Sequence, residues 1–194
     1  MNNNIDVVKQ LEEKNKEIYY NKLNMDIENN SETLSITLNN IISVLMNELT
    51  SKLLEFDNKN SNDDVIQKLV VAFQEKLNEQ IEVLIQNRLV KLKEIVNEIS
   101  DIDYKKILEN EKERIVSSLS SYFKDNAIKI KNIGNNYDSF NKERLNDYID
   151  VLFYEKLINK VKESISNMDN ILYNNYQANL EKFNNLNAKT LNLV

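Results

Sequence analysis

Residues 63–99 decide the fold, and they read DDVIQKLVVAFQEKLNEQIEVLIQNRLVKLKEIVNEI. Ten positions in this stretch recur at steps of three or four residues, and nine of the ten are apolar. They are Ile66, Val70, Phe73, Leu77, Ile81, Leu84, Arg88, Leu92, Ile95 and Ile99. The mean step of about 3.7 residues corresponds to an eleven-residue repeat, which is typical of α-helices that pack straight or with a slight right-handed twist. This stretch therefore predicts one long helix inside a bundle.

The rest of the chain favours helices as well, because it lacks the residues that build tight turns. The 194 residues include one glycine, Gly134, and no proline. Turns between strands are built mainly from these two residue types. We therefore expect an all-α fold, an elongated helical bundle with long coiled-coil-like helices.

Four helices are predicted in the first part of the chain, residues 1–133, which we interpret as a helical bundle. They cover about residues 5–26, 31–56, 63–99 and 103–125. The first helix carries only a thin apolar stripe, which consists of Ile5, Val8, Leu11, Ile18 and Met25. We expect this stripe to dock on something larger.

Polar clusters mark the predicted ends of these helices. Asn29-Asn30-Ser31 supplies a cap that would separate the first helix from the second, and residues 57–62 have the composition of a loop. Residues 100–103 read Ser-Asp-Ile-Asp and predict a second cap. Beyond the fourth helix, isoleucine alternates with lysine over residues 128–131, which is typical of an edge strand or an extended linker.

Residues 135–194 are predicted to form a long C-terminal helix that begins near Asp138 or Ser139. Gly134, Asn135 and Asn136 provide turn chemistry just before it. At 1.5 Å per residue this helix would be roughly 70 Å long, which exceeds the size of a small domain. We therefore expect it to protrude from the bundle or to pair with another chain.

Missing residue types exclude most catalytic chemistry. The chain has no histidine and no cysteine, so zinc sites, haem ligation, thiol nucleophiles and Ser-His-Asp relays are ruled out. One glycine cannot build the loops that hold dinucleotides or nucleoside triphosphates. We expect no enzyme activity, no catalytic residue, no metal site and no cofactor.

Two charged features are interpreted as structural. Glu109 and Glu113 have the spacing that a metal or a general acid–base pair needs, but the neighbouring lysines favour a solvated helix flank. Arg88 interrupts the apolar repeat, and an anion contact or an interchain registry role is one interpretation. We favour the other, in which Leu89 takes the buried position and Arg88 lies on the flank with its guanidinium in water.

Aromatic side chains of the last helix are the candidate interface. They are Tyr148, Tyr154, Tyr173, Tyr176 and Phe183. Tyrosine offers a large contact area with a polar tip and is enriched at protein–protein contacts. The other interpretation is that these residues are ordinary core-edge aromatics of a bundle.

A lysine-rich segment offers a different function. Lys124, Lys129 and Lys131 lie near Tyr122 and Tyr137 in the sequence, so they could contact phosphates while the rings stack on bases. The formal net charge of −6 argues against duplex DNA. We therefore do not expect nucleic acid to be the main partner.

The sequence as a whole predicts a non-catalytic helical protein–protein interaction or assembly protein, acting as a homo-oligomer or with a protein partner. Its excess of Asn, Ile and Lys matches A/T-rich codons and suggests a structural or assembly component of a phage or other mobile element. The alternative is a dimeric nucleic-acid-associated regulator that uses residues 124–131. The N-terminus lacks a basic region followed by an apolar one, and the longest apolar run is residues 69–73. We expect no membrane association, and a location in the cytoplasm or in a particle assembled there.

Overall fold

The computed structural model describes residues 2–57, 63–98 and 102–192, and almost all of them are helical. The α-helices are α1 (Asn2–Phe56), α2 (Asp63–Glu98), α3 (Tyr104–Lys131), α4 (Ser139–Asp147) and α5 (Tyr154–Leu191). A 3₁₀ helix, Asn132–Asn136, follows α3, and a π-helical segment, Tyr148–Phe153, joins α4 to α5. The predicted all-α bundle of long helices is confirmed. No helix within the described ranges is long and apolar enough to cross a membrane.

The long helices form an up-down-up-down bundle. Helix α1 packs against α2 and α5, and α3 packs against the same two helices on the other side. Contacts between α1 and α5 show the antiparallel direction, because Asn15 contacts Asn187 whereas Glu48 contacts Lys156. Antiparallel neighbours joined by short connections are the arrangement expected for this topology.

The predicted stripes of α1 and α2 face each other across the main apolar core. Leu34, Leu38, Leu45, Leu49 and Leu53 on α1 are at most 1% exposed. Burying a side chain of this size stabilises the fold by about 1.5–3 kcal/mol. A second, smaller apolar cluster lies towards the other end of α2 and α3, and its members are Leu23, Ile27, Leu92, Val96, Tyr104, Leu108 and Leu172.

The π-helical segment follows from the spacing of four buried residues. Leu145, Ile149, Phe153 and Leu157 recur at steps of four and are at most 2% exposed. Four-residue steps drift by about 40° per step around a regular α-helix, since one turn takes 3.6 residues. The wider π turn absorbs this drift, so all four side chains point into the core along one continuous rod from α4 to α5.

Two of the predicted helix starts are confirmed by their caps. The Asp103 carboxylate accepts a hydrogen bond from the backbone N–H of Lys106, and the Asp138 carboxylate accepts one from Asn141. Both are side-chain caps of the usual kind. The predicted loop residues 58–62, the cap residues Ser100 and Asp101, and Ile99 lie outside the described residues.

Gly134 occupies a close approach between the 3₁₀ helix and α4. A Cβ atom at this position would come within 2.9 Å of the Leu145 Cδ2 atom. Because Leu145 is fully buried, its side chain has little room to move aside. The chain reverses direction at this glycine, as the turn prediction required.

Two predicted interruptions are wrong. Helix α1 runs without a break through residues 29–31, because Asn30 uses its side chain for contacts with other helices rather than for a local cap. Helix α3 continues to Lys131, so residues 128–131 are neither strand nor linker. Ala127 and Ile130 are buried at helical spacing there, and this packing outweighs the alternating pattern.

Candidate interaction surface

A buried polar layer divides the two apolar clusters. Each of the four long helices contributes one side chain to it: Asn30 from α1, Arg88 from α2, Glu111 from α3 and Asp169 from α5. Arg88 is fully buried and donates hydrogen bonds to Asn30 Oδ1 at 3.0 Å and to Asp169 Oδ1 at 2.5 Å. Asn30 in turn donates from Nδ2 to the Met168 carbonyl at 2.9 Å.

The favoured interpretation of Arg88 is therefore wrong. Leu89 is only half-buried, while the Arg88 side chain lies in the interior with a carboxylate and an amide as partners. A buried charge is tolerated where it is paired and hydrogen-bonded. The sequence carried one usable signal, since Asp169 lies four residues after Ile165 and three before Leu172 on the apolar face of α5.

The two carboxylates of this layer have opposite electrostatic environments. Burial raises the pKa of Asp169 to about 6, although the Arg88 guanidinium favours its ionised form. Burial also opposes ionisation of Glu111, but hydrogen bonds from Arg114 and Lys91 lower its pKa. The Arg114 bonds measure 3.0 and 2.6 Å, and the Lys91 contact measures 3.0 Å. The layer therefore holds charge in the interior at an electrostatic cost.

An open cleft of about 330 Å³ lies between α3 and α5 beside Asp169. The Lys112 ammonium at its edge donates to Glu109 at 3.0 Å and to Ser166 at 3.3 Å. Glu109 and Glu113 are exposed, as expected of a solvated flank. The described part of the chain holds no group of three or more acidic side chains placed to bind a metal ion.

Helices α1 and α5 continue past the ends of α2 and α3. Near the end of α2, Asn97 accepts a hydrogen bond from Asn24, and Tyr104 at the start of α3 stacks on Tyr176 with ring centroids 4.4 Å apart. Beyond this level, α1 continues through residues 2–19 and α5 through residues 180–191, and the two helices are in contact from the Tyr19–Phe183 level to the Asn15–Thr190 level. We call these two segments the two-helix extension, and the rest of the described chain the body.

The two-helix extension is joined by aromatic and polar contacts. Tyr19 stacks on Phe183 with ring centroids 4.7 Å apart. Asn15 donates from Nδ2 to Asn187 Oδ1 at 3.2 Å and to Thr190 Oγ1 at 3.1 Å. Burial between the two helices raises the pKa of Tyr19. The contact face of α1 in this region therefore includes Asn15 and Tyr19.

The apolar stripe of α1 in this region lies mostly on the outside. Ile5, Ile18 and Met25 are 52%, 52% and 54% exposed, and Val7 is 50% exposed. Val8 and Leu11 are half-buried. The prediction that this stripe docks on something larger is wrong for its exposed members: Ile5 and Ile18 lie beyond the end of the body, and Met25 lies on an exposed side of α1 within it. Next to Ile18, an open groove of about 200 Å³ runs between α1 and α5 above Tyr19 and Phe183.

The five predicted interface aromatics are all half-buried and all have neighbours within the chain. Tyr148 contacts Phe56, and Tyr154 shares a hydrogen bond with Ser120. Tyr173 lies under the Lys105 ammonium, while Tyr176 and Phe183 stack as described above. Each contributes to packing inside the chain, and their role towards a partner stays a prediction.

The three predicted nucleic-acid lysines do not form one patch. Lys124 lies over the Tyr154 ring, 5.1 Å from its centroid, and Lys131 pairs with Asp150 at 3.0 Å. Lys129 lies on another side of α3, where its hydrogen bond and its charge lower the pKa of Lys76 on α2. The nucleic-acid alternative stays a prediction that no contact of these lysines favours.

In comparisons with known protein families, curated proteins and solved structures, no match to this chain was found.

Proposed function

We propose that this chain is a non-catalytic interaction or assembly protein that binds a protein partner, or a second copy of itself, through its two-helix extension. The observation that supports the proposal is the apolar surface that the extension exposes, where Val7 and Ile18 of α1 are 50% and 52% exposed and Leu186 of α5 is 38% exposed. Ile18 and Leu186 line one groove with Tyr19 and Phe183, and exposed apolar patches rimmed by polar residues mark interaction sites on soluble proteins. A role in a phage or other mobile element rests on composition alone and stays a prediction.

Site-specific photo-crosslinking in the native cell tests the proposal. A photoreactive residue at position 18 should give covalent adducts with a protein, because this side chain would lie in the interface. The matched control is position 171, since Ile171 is 51% exposed on the outer side of α5 in the body and Ile18 is 52% exposed. Equal adduct formation at both positions, or none at position 18, would contradict the proposed function.

A further inference from the structure

The first turns of α1 have no facing helix within the described chain. Thr190, near the end of α5, contacts Asn15, so α5 ends close to the level of Asn15. The turns of α1 before that level continue without α5 beside them. We call these turns of α1 the overhang.

The exposed stripe has the spacing of a helix-packing seam. Val7, Leu11 and Ile18 follow one another at steps of four and seven residues, which keeps them on one side of α1. On α5, Leu186 is 38% exposed and lines the same groove as Ile18. Together they give an apolar face onto which an amphipathic helix fits, and the α1 stripe of another copy is such a helix.

Charge distinguishes the extension from the body. The two segments of the extension carry five lysines and five acidic residues, so their formal net charge is zero. The whole formal charge of −6 therefore belongs to the rest of the chain. Two acidic bodies repel each other at close range, whereas two extensions of mixed charge do not. A second copy is accommodated best when the extensions meet and the bodies point apart.

The available area is sufficient for a dimer of modest affinity. At 1.5 Å rise per residue and about 10 Å per helix, the two segments present a face of roughly 500 Å². Two copies would bury about 1,000 Å² in total, which is the lower limit for a specific interface. The expected dimer therefore dissociates on dilution.

We infer that the extension face containing Leu11, Ile18 and Leu186 binds a second copy of this chain, with the two copies antiparallel about a two-fold axis. The inference rests on the proposed function and names its partner. Each overhang then lies against the extension of the other copy, and a short four-helix bundle forms between the two bodies. A two-fold arrangement uses the same patch on both copies and closes on itself.

Sedimentation equilibrium of the purified full chain tests the inference across micromolar to millimolar concentrations. The wild type should show a monomer–dimer equilibrium, and Ile18→Glu should weaken it about tenfold or more, because each interface would then bury a charge. The control Ile171→Glu, at nearly equal exposure on the body, should leave the dimer constant unchanged. Circular dichroism confirms folding, and Val7→Glu provides a second variant on the extension, since Val7 is 50% exposed.

Three results overturn the inference: a wild type that stays monomeric, a dimer that Ile18→Glu and Val7→Glu leave intact, or an equal loss of dimer affinity with Ile171→Glu. If the wild type is monomeric but position 18 crosslinks to a different protein, the partner is not a second copy, and the proposed function still holds. If the wild type is monomeric and position 18 gives no crosslink, both the inferred dimer and the proposed function are contradicted.

Discussion

The four-helix body and the two-helix extension share α1 and α5, yet they bury different faces of the same helix. In the body, α1 lies between α2 and α5, and Leu34 and Leu38 are at most 1% exposed. In the extension α1 has only α5 as a neighbour, and Ile18 remains 52% exposed while Asn15 is buried. The number of neighbouring helices, rather than the hydrophobicity of a residue, decides which positions of α1 are covered.

The largest expected difference concerns apolar truncation. Leu38→Ala should lower the free energy of unfolding by about 2–5 kcal/mol, because it leaves a cavity in a packed core. Ile18→Ala, measured in dilute solution where the chain is monomeric, should change it by no more than about 0.5 kcal/mol. Urea denaturation followed by circular dichroism gives both values. Equal losses would show that the extension is packed like the body.

The buried ion pair should give the next largest effect. Arg88→Met leaves Asp169 and Asn30 buried without their cation, and we expect the free energy of unfolding to fall by about 3–5 kcal/mol at neutral pH. The double variant Arg88→Met with Asp169→Leu should recover much of this loss, since it removes both charges.

The exposed pair Lys93–Glu28 provides a control for the ion pair, because its Lys93 and Glu28 side chains are 32% and 54% exposed. Lys93→Met should cost at most about 1 kcal/mol. A cost for Arg88→Met no greater than that for Lys93→Met would contradict the buried geometry of the layer.

Acid should act on the two carboxylates of the layer in opposite directions. The pKa of Asp169 in the folded chain is raised to about 6, so its contribution to stability is full below its ordinary pKa near 4 and is lost as pH rises through 6. When pH falls from 7 to 4, the free energy of unfolding of the wild type should therefore rise by roughly 2 kcal/mol relative to that of Asp169→Asn. The lowered pKa of Glu111 predicts a loss of stability as pH falls below its ordinary value.

Melting temperatures of the wild type and Asp169→Asn over this pH range test the sign. Asparagine keeps an acceptor for Arg88 but does not titrate, so the difference between the two curves isolates Asp169. If the wild type loses stability relative to Asp169→Asn on acidification, then Arg88 outweighs burial and the pKa of Asp169 lies below its usual value.

The smallest effect belongs to the polar contacts of the extension. Asn15→Ala removes the hydrogen bonds to Asn187 and Thr190, and we expect a local loss of about 0.5–1.5 kcal/mol. Amide exchange in residues 2–19 should accelerate by roughly two- to tenfold, while amides of the body keep their rates. Mass spectrometry of exchanged peptides resolves the two regions. Uniform acceleration across the chain would mean that the extension and the body unfold as one unit.

Helical periodicity predicts the body well and the extension poorly. The apolar members of the α2 stripe from Ile66 to Leu92 are buried as expected, because α1 and α3 cover them. Ile5 and Ile18 belong to a stripe with helical spacing too, but spacing cannot reveal that α2 and α3 end before reaching these two residues. Contact partners far apart in the chain determine this outcome.

The polar residues that join helices were the least predictable. Asn30 and Ser31 have the composition of a cap, yet the partners of Asn30 are Arg88, 58 residues later, and the Met168 carbonyl. A buried Arg–Asp pair can be predicted from the sequence only when a charged residue on one apolar face is matched with an opposite charge on another, as with Arg88 and Asp169.

A distance measured between two copies shows most directly whether the extension is the surface where they meet. The chain has no cysteine, so Glu17→Cys and Glu143→Cys each give one unique spin-labelling site on an exposed residue. Glu143 lies at the opposite end of the bundle, beside Arg144, whose guanidinium stacks on Phe56.

Pulsed dipolar spectroscopy at high protein concentration should give a defined distance between labels at position 17 of two copies, of the order of one bundle width. Labels at position 143 should give none, because two bodies would separate them by about 100 Å or more at 1.5 Å per helical residue. A defined distance between labels at position 143, or no defined distance at either position, would contradict a dimer formed through the extensions.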